Sequence, residues 1–115
     1  MNIYIVCPVR NCSQEITEAL NRHVAELEAR GHSVHYPPRD VNQEDDGCGL
    51  HICEAHRAAL KLADEVHIYW DSDSKGSLFD LGMAFMANSV RFRFINNPPR
   101  DNHKSYLNVF KALEL

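Results

Sequence analysis

The sequence lacks several features by which common classes of protein are identified. None of its apolar runs approaches the roughly 18 residues that a membrane-spanning helix needs. Residues 1–8 lack the basic start and long apolar stretch of a signal peptide, and a net charge of −4 gives no basic footprint for duplex nucleic acid. We therefore expect one cytoplasmic domain, residues 1–115, that binds neither a membrane nor duplex nucleic acid.

The sequence also lacks Cys-x-x-Cys pairs, which are typical of structural zinc sites. Residues 48–56 contain two cysteines and two histidines, which suggests zinc, but they do not form two tight ligand pairs. We therefore expect no metal and no cofactor, and we interpret His51, His56 and His67 as ordinary packing or surface residues. The four cysteines are expected to be reduced thiols. They are Cys7, Cys12, Cys48 and Cys53.

Strand-like and helix-like segments alternate along most of the chain. β-Branched and aromatic runs predict strands, and apolar residues at helical spacing predict helices. The strands are predicted over residues 2–7, 33–36, 65–70 and 90–95, and the helices over residues 13–30, 50–63, 78–86 and 106–113. The polar, glycine-containing residues 39–49 are predicted to form a surface loop. This alternation implies right-handed crossovers and a parallel sheet with helices on both faces.

Ligands of such sheets bind outside the carboxyl ends of the strands. This rule selects three segments, residues 7–13, 37–49 and 71–80, which follow the first three strands. We expect their polar side chains to converge on one pocket.

The third of these segments combines carboxylates with the start of a helix. Asp71 and Asp73 leave the third strand, and the small residues that follow expose backbone N–H groups. The hydroxyls of Ser74 and Ser77 add further donors, and the N-terminus of a helix carries about half a positive charge. This arrangement favours an anion such as phosphate.

Asp80 has two interpretations on spacing alone. Ser77-x-x-Asp80 has the spacing of a capping box, which would only stabilise the helix. Alternatively, the Asp80 carboxylate points toward the loop and takes part in chemistry. The spacing leaves both interpretations open.

Further polar residues accompany the first two strands. The Arg10 guanidinium is either a clamp for phosphate or carboxylate or an ordinary surface charge. Arg39 and Asp40 have the pattern of a local ion pair, although their segment is one of the three that should meet at the pocket. Tyr4, inside the first strand, has the pattern of a packing residue with one polar tip.

Three stretches of the chain together carry a family likeness. They are Tyr-Ile-Val-Cys-Pro-Val-Arg at residues 4–10, Ala-Asp-Glu-Val-His-Ile-Tyr-Trp-Asp at 63–71 and Gly-Ser-Leu-Phe-Asp-Leu-Gly-Met-Ala at 76–84. In this order they resemble the nucleoside 2-deoxyribosyltransferase family, which includes deoxynucleoside 5′-monophosphate N-glycosidases. The resemblance implies a flavodoxin- or Rossmann-like α/β fold, a three-layer sandwich around a four- to five-stranded parallel sheet.

The resemblance also implies roles for single residues. In the family, a glutamate attacks the anomeric carbon of the sugar and expels the base. The matching residue here is Asp80, whose side chain is one methylene, or about 1.5 Å, shorter. Tyr4 would lie beside this carboxylate, and Asp71 near the sugar and base as a proton donor or orienting group. The candidate substrate-binding residues are Arg10, Arg39, Asp40, Ser74, Gly76 and Ser77, with Ser74 and Gly76 at a 5′-phosphate.

The function implied by the resemblance is cleavage of the N-glycosidic bond of a nucleotide or nucleoside, by hydrolysis or by transfer to another base. The change from Glu to Asp keeps a second interpretation open, a catalytically silent nucleotide-binding or sensing domain on the same fold. The family also implies a homodimer or higher homo-oligomer. Leu81, Phe85 and Met86 are the candidate dimer face, and the alternative is that all three pack on the sheet.

Overall fold

The computed structural model describes residues 1–44, 47–87 and 90–115. Asp45 and Asp46, which belong to the predicted loop 39–49, lie outside the described residues. The strands are β1 (Asn2–Val6), β2 (Ser33–His35), β3 (Glu65–Ile68) and β4 (Arg91–Phe94). The helices are α1 (Gln14–Ala29), α2 (Pro37–Asp40), α3 (Leu50–Leu62), α4 (Lys75–Met86) and α5 (Tyr106–Leu113). Within the described ranges, no helix is long and apolar enough to cross a membrane.

The strands form one parallel sheet in the order β2-β1-β3-β4. Because β1 lies between β2 and β3, Tyr4 is paired with His35 on one side and with Val66 on the other. Beyond the last helix, Glu114 makes a single parallel bridge with Phe92 of β4, where a fifth strand would pair. The predicted α/β fold with a parallel sheet is confirmed, and the sheet has four strands.

The sheet separates two hydrophobic cores, because successive side chains of a strand point to opposite faces. Ile3 and Ile5 of β1 pack with Leu20 and Val24 of α1 on one face. Tyr4 of β1 belongs to the core on the other face, which contains buried residues of α3, α4 and α5. Helices therefore cover both faces and give the three layers of the predicted sandwich.

Helix α4 begins three residues earlier than predicted. Ser74 is its N-cap, and the Ser74 Oγ accepts a hydrogen bond from the backbone N–H of Ser77 at 3.2 Å. The first helical residue is therefore Lys75. The apolar periodicity that predicts a helix starts only at Leu78, so the polar first turn was assigned to the preceding loop.

A short helix, α2, replaces the beginning of the predicted loop 39–49. The sequence predicts only a strand break at Pro37 and Pro38. The fixed φ of proline also suits the first turn of a helix, and the Asp40 Oδ2 accepts a hydrogen bond from the backbone N–H of Tyr36 at 2.8 Å. These two features together turn the chain at the carboxyl end of β2.

Strand β3 ends at Ile68, two residues before its predicted end. The backbone N–H of Trp70 donates to the Asn96 Oδ1 at 2.8 Å, and the Asn96 Nδ2 donates back to the Trp70 carbonyl at 3.0 Å. This side-chain pairing replaces strand pairing at Trp70. The chain then turns into Asp71 and the start of α4.

Candidate active site

A cavity of about 510 Å³ lies at the carboxyl ends of β1 and β3. Its volume is within the usual range for small-molecule sites, roughly 300–1,000 Å³. Its walls come from the loop after β1, the start of α2, the middle of α3 and the start of α4. They consist of residues 7–11, Pro37, His56, Asp71, residues 73–77 and Asp80.

The loop after β1 brings Arg10 to the cavity. Arg10 is exposed, and the next residue, Asn11, has a left-handed backbone with a φ of 55°. Asparagine tolerates this conformation better than most residues. The chain therefore reverses and enters α1 at its N-cap Ser13, leaving the Arg10 cation on the cavity wall.

The start of α4 forms the opposite part of the wall. The Ser74 Oγ donates to the Ser77 Oγ at 2.8 Å, which orients both hydroxyls. Backbone N–H groups in a first helical turn have no partner within the helix and carry the positive end of its dipole. A Cβ on Gly76 would meet no described atom within 4 Å, so this wall is open, and the exposed Lys75 adds a positive charge. The wall suits an anion.

Asp80 is a buried carboxylate on the cavity wall, with 6% of its surface exposed. The Tyr4 Oη donates to the Asp80 Oδ2 at 3.0 Å, and the His56 Nδ1 lies 3.1 Å from the Asp80 Oδ1. We call Tyr4, His56 and Asp80 the cavity cluster. Asp80 lies in the second turn of α4, and Ser74 caps the helix. The capping-box interpretation of Ser77 and Asp80 is therefore wrong.

Tyr4 is fully buried, and its ring stacks on that of His35 with the ring centroids 5.1 Å apart. Burial, followed by the charge and hydrogen bond of Asp80, raises the pKa of Tyr4 far above its ordinary value. The phenol therefore keeps its proton and donates a hydrogen bond to the Asp80 carboxylate. As its pattern predicts, Tyr4 is a packing residue with one polar group. This hydroxyl forms a hydrogen bond with Asp80 of the cavity wall.

Six of the nine candidate site residues line the cavity, and Tyr4 reaches it through Asp80. The six are Arg10, Asp71, Ser74, Gly76, Ser77 and Asp80. The structure does not bring Arg39 and Asp40 to this wall. The Arg39 Nη1 lies 2.8 Å from the Glu28 Oε1, and its Nε lies 2.8 Å from the Asp40 Oδ1. These two residues form the local ion pair that their pattern indicates.

Asp40 is held in its charged form by that pair. Although partial burial acts in the opposite direction, hydrogen bonds from Arg39 and from the backbone of Tyr36 keep the pKa of Asp40 below its ordinary value. Both members of the pair are thus engaged in joining α2 to α1 and β2.

His56 and Lys75 line the cavity but were not predicted as site residues. His56 lies one helical turn before Leu60, and both are on the buried face of α3. A polar side chain on a buried helix face needs a partner inside the protein, and this is the signal by which His56 could have been found. Lys75 was missed because the start of α4 was placed too late.

Cys7 also lines the cavity, as a buried thiol. Burial, with smaller effects of Cys12 and Asp80, raises the pKa of Cys7 to about 12. Because the thiolate is the reactive form of cysteine, Cys7 is a poor nucleophile at neutral pH.

Among the described residues, no group of three or more His, Cys, Asp or Glu side chains could hold a metal ion. His56, one of the residues that suggested zinc, faces Asp80.

A separate groove of about 580 Å³ runs between α4 and α5 and is mostly apolar. Phe79, Phe85 and Tyr106 expose their rings along it. Leu81 of the predicted dimer face is buried in the core, whereas Phe85 and Met86 are 58% and 82% exposed. Of the three residues, only Leu81 follows the alternative prediction that they pack on the sheet.

A second buried polar cluster lies on the α1 face of the sheet. We call His23, Glu65 and His67 the α1 cluster. The His67 Nε2 donates to the Glu65 Oε1 at 2.9 Å, and the Arg93 Nε donates to the same oxygen at 3.3 Å. The His67 Nδ1 lies 2.8 Å from the His23 Nε2. Since the carboxylate can only accept, His67 carries its hydrogen on Nε2 and accepts one from His23 at Nδ1.

The charges of the α1 cluster follow from its burial and its partners. Burial lowers the pKa of both His23 and His67 below the ordinary value for histidine. Burial alone would raise the pKa of Glu65, but the hydrogen bond from His67 and the charge of Arg93 keep it below its ordinary value. At neutral pH the cluster therefore contains two neutral imidazoles and one carboxylate.

No family model and no curated protein matches the sequence. Solved structures are similar to it in fold. The 2-deoxyribosyltransferase of the psychrotolerant bacterium Bacillus psychrosaccharolyticus is 16% identical with a TM-score of 0.70, over 100% of this chain and 97% of that one. The CMP N-glycosidase of Clostridium botulinum is 11% identical with a TM-score of 0.64, over 99% of this chain and 83% of that one. At these identities the likeness shows the fold, which is the one that the family resemblance implies.

Proposed function

We propose that the protein cleaves the N-glycosidic bond of a nucleotide or nucleoside, with Asp80 as the carboxylate that acts at the anomeric carbon. The observation that carries this proposal is a buried carboxylate on the wall of a nucleotide-sized cavity, beside a second acid, Asp71, and a helix N-terminus. Two solved structures of this fold are a 2-deoxyribosyltransferase and a CMP N-glycosidase, which supports the same class of reaction.

The proposed reaction has two steps that share one carboxylate. An oxygen of Asp80 attacks C1′ of the sugar, the C1′–N bond breaks, and its electron pair leaves with the base. Asp71 acts as a general acid and gives the departing base a proton. Water or another base then attacks C1′ and gives its proton to the Asp71 carboxylate, while the bond between C1′ and Asp80 breaks and Asp80 leaves as a carboxylate. The acceptor in this second step decides between hydrolysis and transfer.

The start of α4 is the proposed binding site of a 5′-phosphate. The N–H groups around Gly76 supply donors for phosphate oxygens, and the Ser74 hydroxyl supplies another when it turns from the Ser77 Oγ to the ligand. Lys75 and Arg10 line the same cavity and supply positive charge. These four residues support a nucleoside monophosphate over an uncharged nucleoside as the substrate.

A silent nucleotide-binding domain is the second candidate, and the geometry of Asp80 is the observation that favours it. Both oxygens of this carboxylate already have partners inside the protein. Its side chain also ends about 1.5 Å short of where a glutamate would end. A misplacement of 1 Å can lower a rate around 100-fold. In this alternative the cavity binds a nucleotide and leaves the glycosidic bond intact.

Chromatography of the free base distinguishes the two candidates. The purified protein is incubated with each deoxyribonucleoside and ribonucleoside monophosphate and with the matching nucleosides. We expect base release from a monophosphate, and its loss in Asp80→Asn. Asp73→Asn, which alters another carboxylate of the same cavity, is the matched control and should retain release. Thermal stabilisation by nucleotides without base release, equal in wild type and Asp80→Asn, would establish the silent binder.

We also propose that the protein forms a homodimer through the groove between α4 and α5. Phe79, Phe85 and Tyr106 form a contiguous exposed apolar surface there, and such surfaces mark interfaces between proteins. Phe79 directly precedes Asp80, so a partner at this groove would lie close to the cavity.

A reducing compartment such as the cytoplasm is proposed because Cys7, Cys12 and Cys53 are thiols.

Sedimentation analysis tests the dimer. We expect a dimer for the wild type and a monomer for Phe85→Glu, because a charge in the apolar groove opposes association. Leu62→Glu is the matched control, since Leu62 is exposed on α3 outside this groove. A wild type that remains monomeric at high concentration would refute this interface.

A further inference from the structure

His56 is the member of the cavity cluster that was not predicted as a site residue, and the proposed reaction gives it no task. It lies in the middle of α3, is 8% exposed, and contributes to the cavity wall. Its Nδ1 lies 3.1 Å from the Asp80 Oδ1. A buried histidine in contact with the attacking carboxylate calls for an explanation, because α3 could fill this space with an apolar side chain.

The surroundings of the ring indicate where its hydrogen lies. The Nε2 is buried and has no hydrogen-bond partner in the part of the chain that the structure describes. A hydrogen on Nε2 would therefore be a buried donor without an acceptor, and it would leave the lone pair of Nδ1 facing a carboxylate oxygen. A hydrogen on Nδ1 avoids both costs. The ring of His56 thus directs an N–H at Asp80.

The Asp80 carboxylate is consequently held from two sides. Tyr4 of β1 donates to Oδ2, and His56 of α3 is the donor at Oδ1. One donor would leave the carboxylate able to rotate about its Cβ–Cγ bond, whereas donors on both oxygens fix its plane. The rings that provide the donors are themselves packed, with the Tyr4 and His56 centroids 6.1 Å apart and the His35 ring in contact with both.

We infer that His56 is a positioning residue that orients the Asp80 carboxylate for attack at C1′, an inference that rests on the proposed function. The short side chain of Asp80 makes this orientation important, since an aspartate has fewer rotatable bonds than a glutamate and cannot move to correct a misplacement. Holding the carboxylate plane from both oxygens removes one source of misplacement that this short side chain cannot correct by moving.

Two variants of nearly equal size test this inference by kinetics. In His56→Asn, the amide nitrogen takes the place of Nδ1 and keeps a donor for Asp80. In His56→Leu, a methyl group stands there instead. We expect His56→Leu to lower kcat about 100-fold with little change in KM, and His56→Asn to recover most of that loss. Equal losses in the two variants, or losses that follow a drop in the thermal unfolding temperature, would overturn the inference.

A spectrum that does not depend on catalysis tests the contact itself. Long-range proton–nitrogen-15 NMR of the wild type, with the His56 signals assigned from their absence in His56→Asn, reports which ring nitrogen carries the hydrogen. We expect the hydrogen on Nδ1, and finding it on Nε2 would overturn the inference. If the wild type releases no base, the proposed function fails, while this spectrum still decides whether His56 holds Asp80.

Discussion

The cavity cluster and the α1 cluster each bury one carboxylate and at least one imidazole against the same sheet, on opposite faces. In the α1 cluster, His67 uses both of its ring nitrogens, and Glu65 accepts from His67 and from the cation Arg93. In the cavity cluster, the His56 Nε2 has no hydrogen-bond partner within the described ranges, and the ion pairs found there bring no lysine or arginine to Asp80. Among residues 1–44, 47–87 and 90–115, the α1 cluster therefore finds partners for both nitrogens of His67 and a cation for Glu65, whereas the cavity cluster lacks both kinds of partner.

The proposed function explains this difference in charge compensation, because it makes the α1 cluster structural and the cavity cluster reactive. The charge of Glu65 is balanced by Arg93, so the α1 cluster joins β3, β4 and α1 without a ligand. The charge of Asp80 is stabilised by hydrogen bonds and faces a cavity. Positive charge develops on the sugar as a glycosidic bond breaks, and a preorganised carboxylate favours that charge. In the proposed reaction, the positive charge on the sugar would therefore balance Asp80 in the way that Arg93 balances Glu65.

After the loss expected for Asp80→Asn, the largest expected effect comes from the second acid of the cavity. If Asp71 protonates the departing base, Asp71→Asn should slow base release by about 10²–10³-fold for natural nucleotides. The loss should be much smaller for a substrate whose leaving group needs no proton. Asp73→Asn, which alters the neighbouring cavity carboxylate, should leave the rate nearly unchanged. Equal losses for both kinds of leaving group would contradict a general acid at this position.

The next effect should appear in stability and leave the rate unchanged. Glu65→Gln removes the acceptor charge of the α1 cluster and should lower the free energy of unfolding by about 2 kcal/mol, measured with urea. Base release per folded molecule should stay the same. Glu54→Gln, on the exposed face of α3, is the matched control and should change neither quantity. A loss of activity in Glu65→Gln without a loss of stability would remove the distinction between the two clusters.

Acidification should weaken the fold through the α1 cluster. Burial lowers the pKa of His23 and His67, so the unfolded chain takes up protons that the native protein excludes as the pH falls below about 6.5. This stability is present above that value and is lost on acidification, by up to about 1.4 kcal/mol per pH unit for each such histidine. His67→Gln should flatten the pH dependence of urea unfolding, whereas the exposed His51→Gln should not. A dependence unchanged in His67→Gln would show that other groups cause it.

The smallest expected effects come from two glycines of α4. A Cβ on Gly76 or Gly82 meets no described atom within 4 Å. Each change to alanine should therefore raise the free energy of unfolding by about 0.5–1 kcal/mol, because glycine is unfavourable inside a helix. Only Gly76→Ala places a methyl group on the cavity wall, so only this variant should weaken nucleotide binding in calorimetry. Equal affinities in the two variants would place the phosphate elsewhere.

The fold and the position of the cavity could be predicted from the sequence because both depend on local patterns. Alternating apolar runs mark the strands, and the carboxyl-end rule brings residues 7–13 and 71–80 together before any contact is known. The early start of α4 escaped prediction because its first turn is polar. Its cap at Ser74 depends on one hydrogen bond, to the backbone of Ser77.

The spacing of residues along the chain could not predict the partners of Asp80, because these contacts are set by tertiary packing. Tyr4 is 76 positions away in the chain and His56 is 24 positions away. No spacing rule connects such distant residues. The family resemblance implies Tyr4 beside the carboxylate but gives no signal for His56. The engagement of Arg39 with Glu28 likewise depends on where α2 meets α1.

Rapid-quench mass spectrometry tests the central claim, that Asp80 becomes bonded to the sugar, most directly. The wild type is mixed with a nucleoside monophosphate that it cleaves, quenched within one turnover and digested. We predict that the peptide containing Asp80 gains the mass of the sugar phosphate, and that the same peptide of Asp80→Asn does not. Base release that continues in Asp80→Asn, with no added mass on the Asp80 peptide of the wild type, would contradict the account.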